Sequence, residues 1–91
     1  MKLNSDLSIQ NAEQLHSVLE AEYEKGDELS LDASDVHRID TTIFQILAAL
    51  KIKLKSENTD LTIIEPSAEF VGSAELLGLA AFFELPRAKI A

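Results

Sequence analysis

One stretch of the chain decides its fold, and from Leu29 to Thr42 it reads LSLDASDVHRIDTT. The first part of this stretch alternates between apolar and polar side chains, with Leu29 and Leu31 on one side. Because successive side chains of a strand point to opposite faces, this alternation predicts a strand over Glu28–Ala33 with one buried face.

A polar connection follows this strand over Ala33–Asp40, and we expect Val36 and Ile39 to attach it to the core. A second helix then begins between Asp40 and Thr42. Asp40 is one candidate cap, and Thr42 forms a competing capping box with the glutamine three residues later. The helix continues to about Lys55, and its three lysines interact favourably with the negative end of the helix dipole there.

The segments on either side alternate between strand and helix. They are an opening extended segment with Leu3, Leu7 and Ile9, a first helix over Asn11–Lys25, a strand over Leu61–Ile64, a third helix that opens at Glu65-Pro66-Ser67 and ends at Gly78, and a last apolar segment, helix or strand, over Leu79–Leu85. Asn11 and Gln14 have capping-box spacing at the start of the first helix, and Gly26 is a natural stop after it. The alternation, with room for crossovers, predicts an α/β layer structure with parallel strand pairs.

Composition excludes several classes of function. The chain has 91 residues, is 46% hydrophobic and carries a net charge of −8, which fits one small domain over residues 1–91. Because this acidity opposes binding to a phosphate backbone, nucleic acid is not an expected partner. There is no cysteine, and the N-terminus lacks an apolar signal core, so the expected compartment is the cytoplasm. The longest apolar run, Ile43–Leu54, is too short and too charged for membrane insertion.

The charge is unevenly distributed along the chain. Residues 1–32 carry eight acidic and two basic side chains, whereas residues 33–60 carry four of each. The middle third is therefore the surface least repulsive to an acidic partner.

Few side chains are placed for catalysis. His16 and His37 are the only imidazoles, and neither accompanies a nucleophile in a recognisable setting. Asp32, Asp35 and Asp40 could gather at the carboxyl end of the central strand and hold a divalent cation. A turn and a helix cap explain Asp35 and Asp40 without any ligand. We therefore expect the protein to have no enzymatic activity, no cofactor and no metal site.

Two hydroxyl groups, those of Thr41 and Thr42, stand at the start of the second helix directly after an acidic residue. A phosphate on Thr41 would interact favourably with the helix N-terminus, while the neighbouring Asp40 would oppose it. The alternative is that both threonines are only caps.

The second helix carries apolar side chains on more than one side. A core stripe with helical spacing consists of Ile43, Leu47, Leu50 and Leu54, with Ile46 at its margin. Phe44, Ala48 and Ile52 fall on a separate side. One explanation is that the domain covers the helix on two sides, and another is that these three are scattered surface residues. A third is that they belong to a docking surface, beginning at Thr41, to which a partner binds.

Together these segments resemble the STAS domain, the module shared by anti-sigma factor antagonists and the cytosolic parts of certain anion transporters. The resemblance covers nearly the whole chain. It rests on Leu29–Ser34 followed by Val36, on Ile39–Thr42 and the apolar helix with Gln45, on the strand Leu61–Ile64, on Pro66-Ser67 at a helix start, and on Leu76–Leu79.

The resemblance implies a small mixed β-sheet packed with helices and a bacterial, non-enzymatic binding protein. Its implied partner is a histidine-kinase-like ATPase that acts as an anti-sigma factor, phosphorylating the hydroxyl residue after the aspartate to switch binding off. By position that residue is Thr41. Other relatives are accessory subunits of lipid-transport ABC systems, where the corresponding threonine contacts the ATPase subunit, or are associated with chemotaxis proteins. The implied partner-binding residues are Asp40, Thr41, Thr42, Phe44, Gln45, Ala48 and Ile52.

The chain departs from the family pattern at two places. Ile43 stands where the family commonly has a glycine, two residues after the phosphorylated position. The usual first strand is missing or reduced to Met1–Leu3, which leaves a sheet edge that a homodimer would cover.

Overall fold

The fold is described from a computed structural model of the chain over residues 1–25 and 28–85. These residues contain four strands and three α-helices. They are β1 (Asp6–Leu7), α1 (Ala12–Glu24), β2 (Leu29–Asp32), β3 (Arg38–Ile39), α2 (Thr41–Ser56), β4 (Leu61–Ile64) and α3 (Ala68–Leu76), with a short 3₁₀ turn at Ile9–Asn11 between β1 and α1. The predicted α/β class is confirmed.

The strands form two parallel ladders joined by the N-terminal segment. In one ladder β2 pairs with β4, with Leu29 opposite Leu61, and in the other β1 pairs with β3. Lys2 bridges to Asp32 beside β2, and the Leu3 amide donates to the Asp32 carbonyl oxygen at 2.8 Å. The ladders of the described residues are all parallel, in contrast to the mixed sheet that the resemblance implied.

The core lies between the strands and the helices that pack on them. Its members are Leu3, Leu7, Leu15, Leu19, Leu29, Leu31, Ala33, Val36, Ile43, Phe44, Leu47, Leu54, Leu61, Ile63, Phe70, Ala74 and Phe83. No helix of the described residues is both long enough and apolar enough to cross a bilayer.

Ser67 caps the start of α3, and Gly78 follows its end as predicted. The Ser67 hydroxyl accepts a hydrogen bond from the Phe70 amide at 3.1 Å and donates to the Val36 carbonyl oxygen at 2.6 Å. After the last turn, Gly78 adopts a φ of 72°, which glycine tolerates best. Ser67 therefore caps α3 and holds its start against the connection that precedes β3.

Three local predictions are wrong. The Asn11 side chain does not cap α1, because its amide group donates to the Asp6 carbonyl oxygen at 2.9 Å instead. The polar connection contains a strand, β3, which is too short for alternation to reveal. The segment Leu79–Leu85 is neither helix nor strand but a series of turns, with the Phe83 amide bonded to the Leu79 carbonyl oxygen. Gly26, predicted to end the first helix, lies outside the described residues.

Lys51 is one of the three lysines that were expected to interact with the negative end of the α2 dipole, and its burial was not predicted. Its side chain is only 2% exposed, and its ammonium group donates to Asp60 Oδ1 at 2.9 Å and to the Leu61 carbonyl oxygen at 2.8 Å. The charge is paired where α2 meets the start of β4, so this lysine belongs to the core.

Candidate functional site

The start of α2 presents one accessible hydroxyl group on a firmly held backbone. Thr41 is the first helical residue and its side chain is exposed. Directly before it, Asp40 is extended, with φ −88° and ψ 156°, and its carbonyl oxygen accepts the Ile43 amide at 3.0 Å. The first amide groups of a helix have no intrahelical acceptor, so this end favours negative charge.

Asp40 holds this helix start in place but does not cap it. Its Oδ2 accepts the Ile9 amide at 2.7 Å, and its own amide donates to the Leu7 carbonyl oxygen at 3.0 Å. Arg38 Nε lies 3.8 Å from the other carboxylate oxygen. No side chain caps α2, which corrects both predicted capping arrangements, the one with Asp40 and the one with Thr42. Asp40 instead ties α2 to the segment that leads into α1.

The predicted partner-binding residues of α2 do not form one surface. Phe44 is 1% exposed, and its ring lies 5.1 Å from that of Phe70 and 6.1 Å from that of Phe83. It is therefore a core residue, and its place on the docking surface was predicted wrongly. Ala48 is half-buried, whereas Ile52 is 60% exposed. The domain thus covers much of the second apolar side of α2 itself.

The residues that remain accessible lie on one line along the helix. Thr41 and Gln45 are one turn apart and exposed, Thr42 beside them is half-buried, and Ile52 extends the line toward the other end. Ile43, which replaces the glycine of the family pattern, is fully buried, while Thr41 two residues before it is exposed.

The three candidate metal-binding aspartates have separate partners. Asp32 Oδ1 accepts the Ser34 amide at 2.9 Å, and this hydrogen bonding with Ser34 lowers the pKa of Asp32 below its ordinary value. Asp35 lies 3.3 Å from the Lys2 ammonium group, and Asp40 is bonded as described above. Among the described residues there is no group of three or more acidic, His or Cys side chains that could hold a metal ion.

The two histidines lie at the surface, each beside one glutamate. His16 Nε2 is 3.5 Å from Glu20 Oε1, and His37 Nδ1 is 3.9 Å from Glu69 Oε1. Each contact is an ion pair only when the imidazole is protonated.

The structure also shows a groove that the sequence analysis missed, of about 370 Å³ between α1 and α2. Its lining consists of His16, Leu19, Glu20 and Tyr23 from α1 and of Thr42, Gln45, Ile46, Ala49, Leu50 and Lys53 from α2. The helical spacing within each set was visible in the sequence. The gap between the two helices was not, since it depends on how far apart they pack.

Comparison with known proteins identifies the family but no individual relative. A family model described as Mlab, STAS domain, matches residues 1–86. The searches of curated proteins and of solved structures found no match.

Proposed function

The chain belongs to the STAS domain family, and on that premise we propose that it is a non-enzymatic binding protein for an ATPase-type partner. The partner is either a histidine-kinase-like anti-sigma factor or the ATPase subunit of an ABC transporter. The observation that carries the proposal is that Thr41 is exposed at a helix start. Asp40 fixes this helix start through the hydrogen bonds of its carboxylate and of its backbone amide.

The character of this surface supports protein binding. Thr41 and Gln45 offer hydrogen-bonding groups, and Ile52 offers apolar area on the same side of α2. Their backbone is held rigid because the opposite face of the helix is buried in the core. A rigid surface loses little conformational entropy on binding.

We propose that the partner phosphorylates Thr41 and that the phosphate weakens docking. Phosphorylation adds about two negative charges beside Asp40. The helix N-terminus and the guanidinium group of Arg38 near Asp40 would tolerate this charge within the domain. A partner surface fitted to a neutral hydroxyl group would have to desolvate the phosphate, so the main cost falls on binding.

A second candidate is a constitutive accessory subunit of an ABC system, in which Thr41 is a contact residue without phosphorylation. This candidate is suggested by the sequence at Ile43, because relatives that are phosphorylated commonly have a glycine at this position. The two candidates share one surface and differ in whether phosphate is present on Thr41.

The test is affinity capture of the tagged chain from its own cells, followed by mass spectrometry of the retained proteins. Wild type should retain an ATPase-domain protein, and Thr41→Glu should reduce its recovery by about tenfold, the effect of losing about 1.4 kcal/mol of binding energy. Thr41→Glu should change the free energy of unfolding by no more than about 1 kcal/mol, the size of a cap effect. Ser56→Glu adds the same charge at the exposed far end of α2 and should leave recovery unchanged.

Equal recovery with Thr41→Glu would contradict the proposed docking surface. Intact mass spectrometry of the chain from native cells then separates the two candidates. Phosphate on Thr41 supports the switch, and its complete absence while the ATPase is retained supports the accessory subunit.

A further inference from the structure

We propose that the groove between α1 and α2 binds an amphipathic helix of the partner, one flank of which is basic. This inference rests on the proposed function, since it describes a second contact made by the same partner. It names a surface and a partner chemistry that neither the Thr41 motif nor the family match supplies.

The floor of the groove is apolar and its middle is shallow. Leu19 of α1 forms the base, with Ile46 and Leu50 half-buried on the α2 side. Between them Ala49 is exposed and has only a methyl group, so another backbone can approach closely there. Apolar side chains inserted here would cover Ile46 and Leu50, which the domain itself leaves partly open to water.

The length of the groove matches a short helix. On α2 it runs from Thr42 to Lys53, which at 1.5 Å per residue is about 17 Å, or three helical turns. A helix of that length places apolar anchors at i, i+3 or i+4, and i+7 along one groove.

Charge determines which helix would fit. Glu20 lines the groove, and Glu13 and Glu24, which lie two turns before it and one turn after it, extend an acidic band along the same side of α1. Glu20 Oε1 lies 3.5 Å from His16 Nε2, and this contact offsets the charge of Glu20 only when the imidazole is protonated. Lysine or arginine side chains on the partner helix would complement this band. A second copy of the chain is a poor occupant, because it would bring an equally acidic α1 to the same place.

The opposite rim carries one positive charge. The Lys53 ammonium group lies 4.6 Å from the centre of the Tyr23 ring, and the Tyr23 hydroxyl donates to Glu57. These contacts close the far end of the groove. The near end, at Thr42 and Gln45, is continuous with the docking surface around Thr41, so one partner can occupy both.

The experiment uses a synthetic probe, since the partner is not identified. The probe is a fluorescein-labelled peptide of leucine and lysine with helical spacing, about 14 residues or four turns long. Two further peptides are compared with it: a scrambled peptide of the same composition, and a leucine and glutamate peptide with the same spacing. Binding is measured by fluorescence anisotropy at several salt concentrations.

The variants are chosen so that folding is not disturbed. Ala49→Trp fills the middle of the groove, and Ala21→Trp makes the same change at an exposed position of α1 outside it. Glu20→Gln with Glu24→Gln weakens the acidic band, and Glu28→Gln with Glu65→Gln removes two exposed charges that do not line the groove. Circular dichroism melting of each variant confirms that the fold is retained.

We expect the leucine and lysine helix to bind wild type and to lose about tenfold in affinity with Ala49→Trp, as for an interface residue worth about 1.4 kcal/mol. Ala21→Trp should have no effect. The Glu20 and Glu24 double variant should bind more weakly and with a smaller salt dependence, and its control should not. The proposal is overturned if the peptide does not bind, if Ala49→Trp leaves binding intact, or if the scrambled or the glutamate peptide binds as well.

The capture experiment keeps the two proposals apart. If Thr41→Glu abolishes recovery of the ATPase while Ala49→Trp affects neither recovery nor the peptide, the groove proposal is wrong and the proposed function stands. If Ala49→Trp weakens both the peptide and recovery while Thr41→Glu weakens neither, the groove is the contact and the function assigned to Thr41 is wrong.

Discussion

Replacing Asp60 by asparagine should destabilise the domain strongly, although Asp60 lies near the surface. Asp60 Oδ1 accepts hydrogen bonds from the Lys51 ammonium group at 2.9 Å and from the Leu61 amide at 2.7 Å. Lys51 is only 2% exposed, whereas the Asp60 side chain is 29% exposed. The carboxylate is therefore the main counter-charge of an ammonium group that has almost no contact with water.

The magnitude follows from the loss of that counter-charge. Removing one partner of a fully buried ion pair costs about 3–5 kcal/mol. Here the ammonium group keeps the Leu61 carbonyl oxygen, and Glu84 lies 4.0 Å away. We therefore expect Asp60→Asn to lower the free energy of unfolding by about 2–3 kcal/mol at pH 7. That is a large part of the stability of about 5–15 kcal/mol typical of a small domain.

The loss should depend on pH with a definite sign. The hydrogen bond from Lys51 lowers the pKa of Asp60 below its ordinary value of 3.8, although burial acts in the opposite direction. A lowered pKa in the folded state contributes stability that is fully present above the ordinary value and is lost as pH falls through the lowered pKa. The difference between wild type and Asp60→Asn should therefore hold from pH 7 to about pH 5 and shrink below pH 3.8.

Urea unfolding followed by circular dichroism measures this directly. Asp35→Asn is the matched control, because Asp35 pairs with Lys2 at the surface and its loss should cost no more than about 0.5 kcal/mol. Lys51→Met combined with Asp60→Asn should be more stable than Asp60→Asn alone, since no unpaired charge remains. An Asp60→Asn protein within about 0.5 kcal/mol of wild type at pH 7, or a difference that persists unchanged in acid, would refute the reasoning.

Two further substitutions test the structure around the candidate site. Phe44→Ala should lower the free energy of unfolding in urea by about 3–5 kcal/mol, because the ring is buried against Phe70. A decrease of less than about 0.5 kcal/mol would show that Phe44 is not a core residue. Asp40→Ala should cost about 1–2 kcal/mol and speed hydrogen exchange at the Ile9 amide, whose acceptor is removed; unchanged exchange at Ile9 would show that Asp40 does not hold this segment.

Local pattern was sufficient for the longer elements of the fold. Alternation placed β2, and the β-branched run Leu61–Ile64 placed β4. Helical periodicity placed α1 and α2 to within two residues of their observed ends, although it put the end of α3 slightly later than the last helical residue, Leu76. The two-residue strand β3 was missed because its pairing with β1 depends on residues 32 positions away.

The positions that were predicted wrongly depend on partners distant in sequence. Phe44 lies to one side of the main apolar stripe, and only the turns after α3 bring Phe83 against it. Lys51 has the helical spacing of a core residue but carries a charge typical of a surface residue. It is buried because Asp60 supplies the opposite charge. Asp40 resembles a helix cap until the chain brings the Ile9 amide, 31 positions earlier, to its carboxylate.

The position of Thr41 at the start of α2 was predictable because its signal is local. A hydroxyl group after an aspartate at a helix start lies within a few consecutive residues, so the pattern can be read without knowing the tertiary structure. The groove needed two helices and the distance between them. Its acidic side chains lie on α1 and the small residue Ala49 lies on α2, so they can be recognised as parts of one groove only when the two helices are seen side by side.

The parallel ladders also set the order in which this chain can fold. Leu29 pairs with Leu61, and Asp6 pairs with Arg38. In each ladder the paired residues are 32 positions apart, so the chain between them must close into a loop when the strands pair. Such non-local pairing slows folding relative to a helical bundle of similar size. During synthesis the N-terminal strand has no partner until β3 has left the ribosome, and β2 has none on its other side until β4 follows. The nascent chain therefore completes the two ladders of its core only after β3 and β4 have been made.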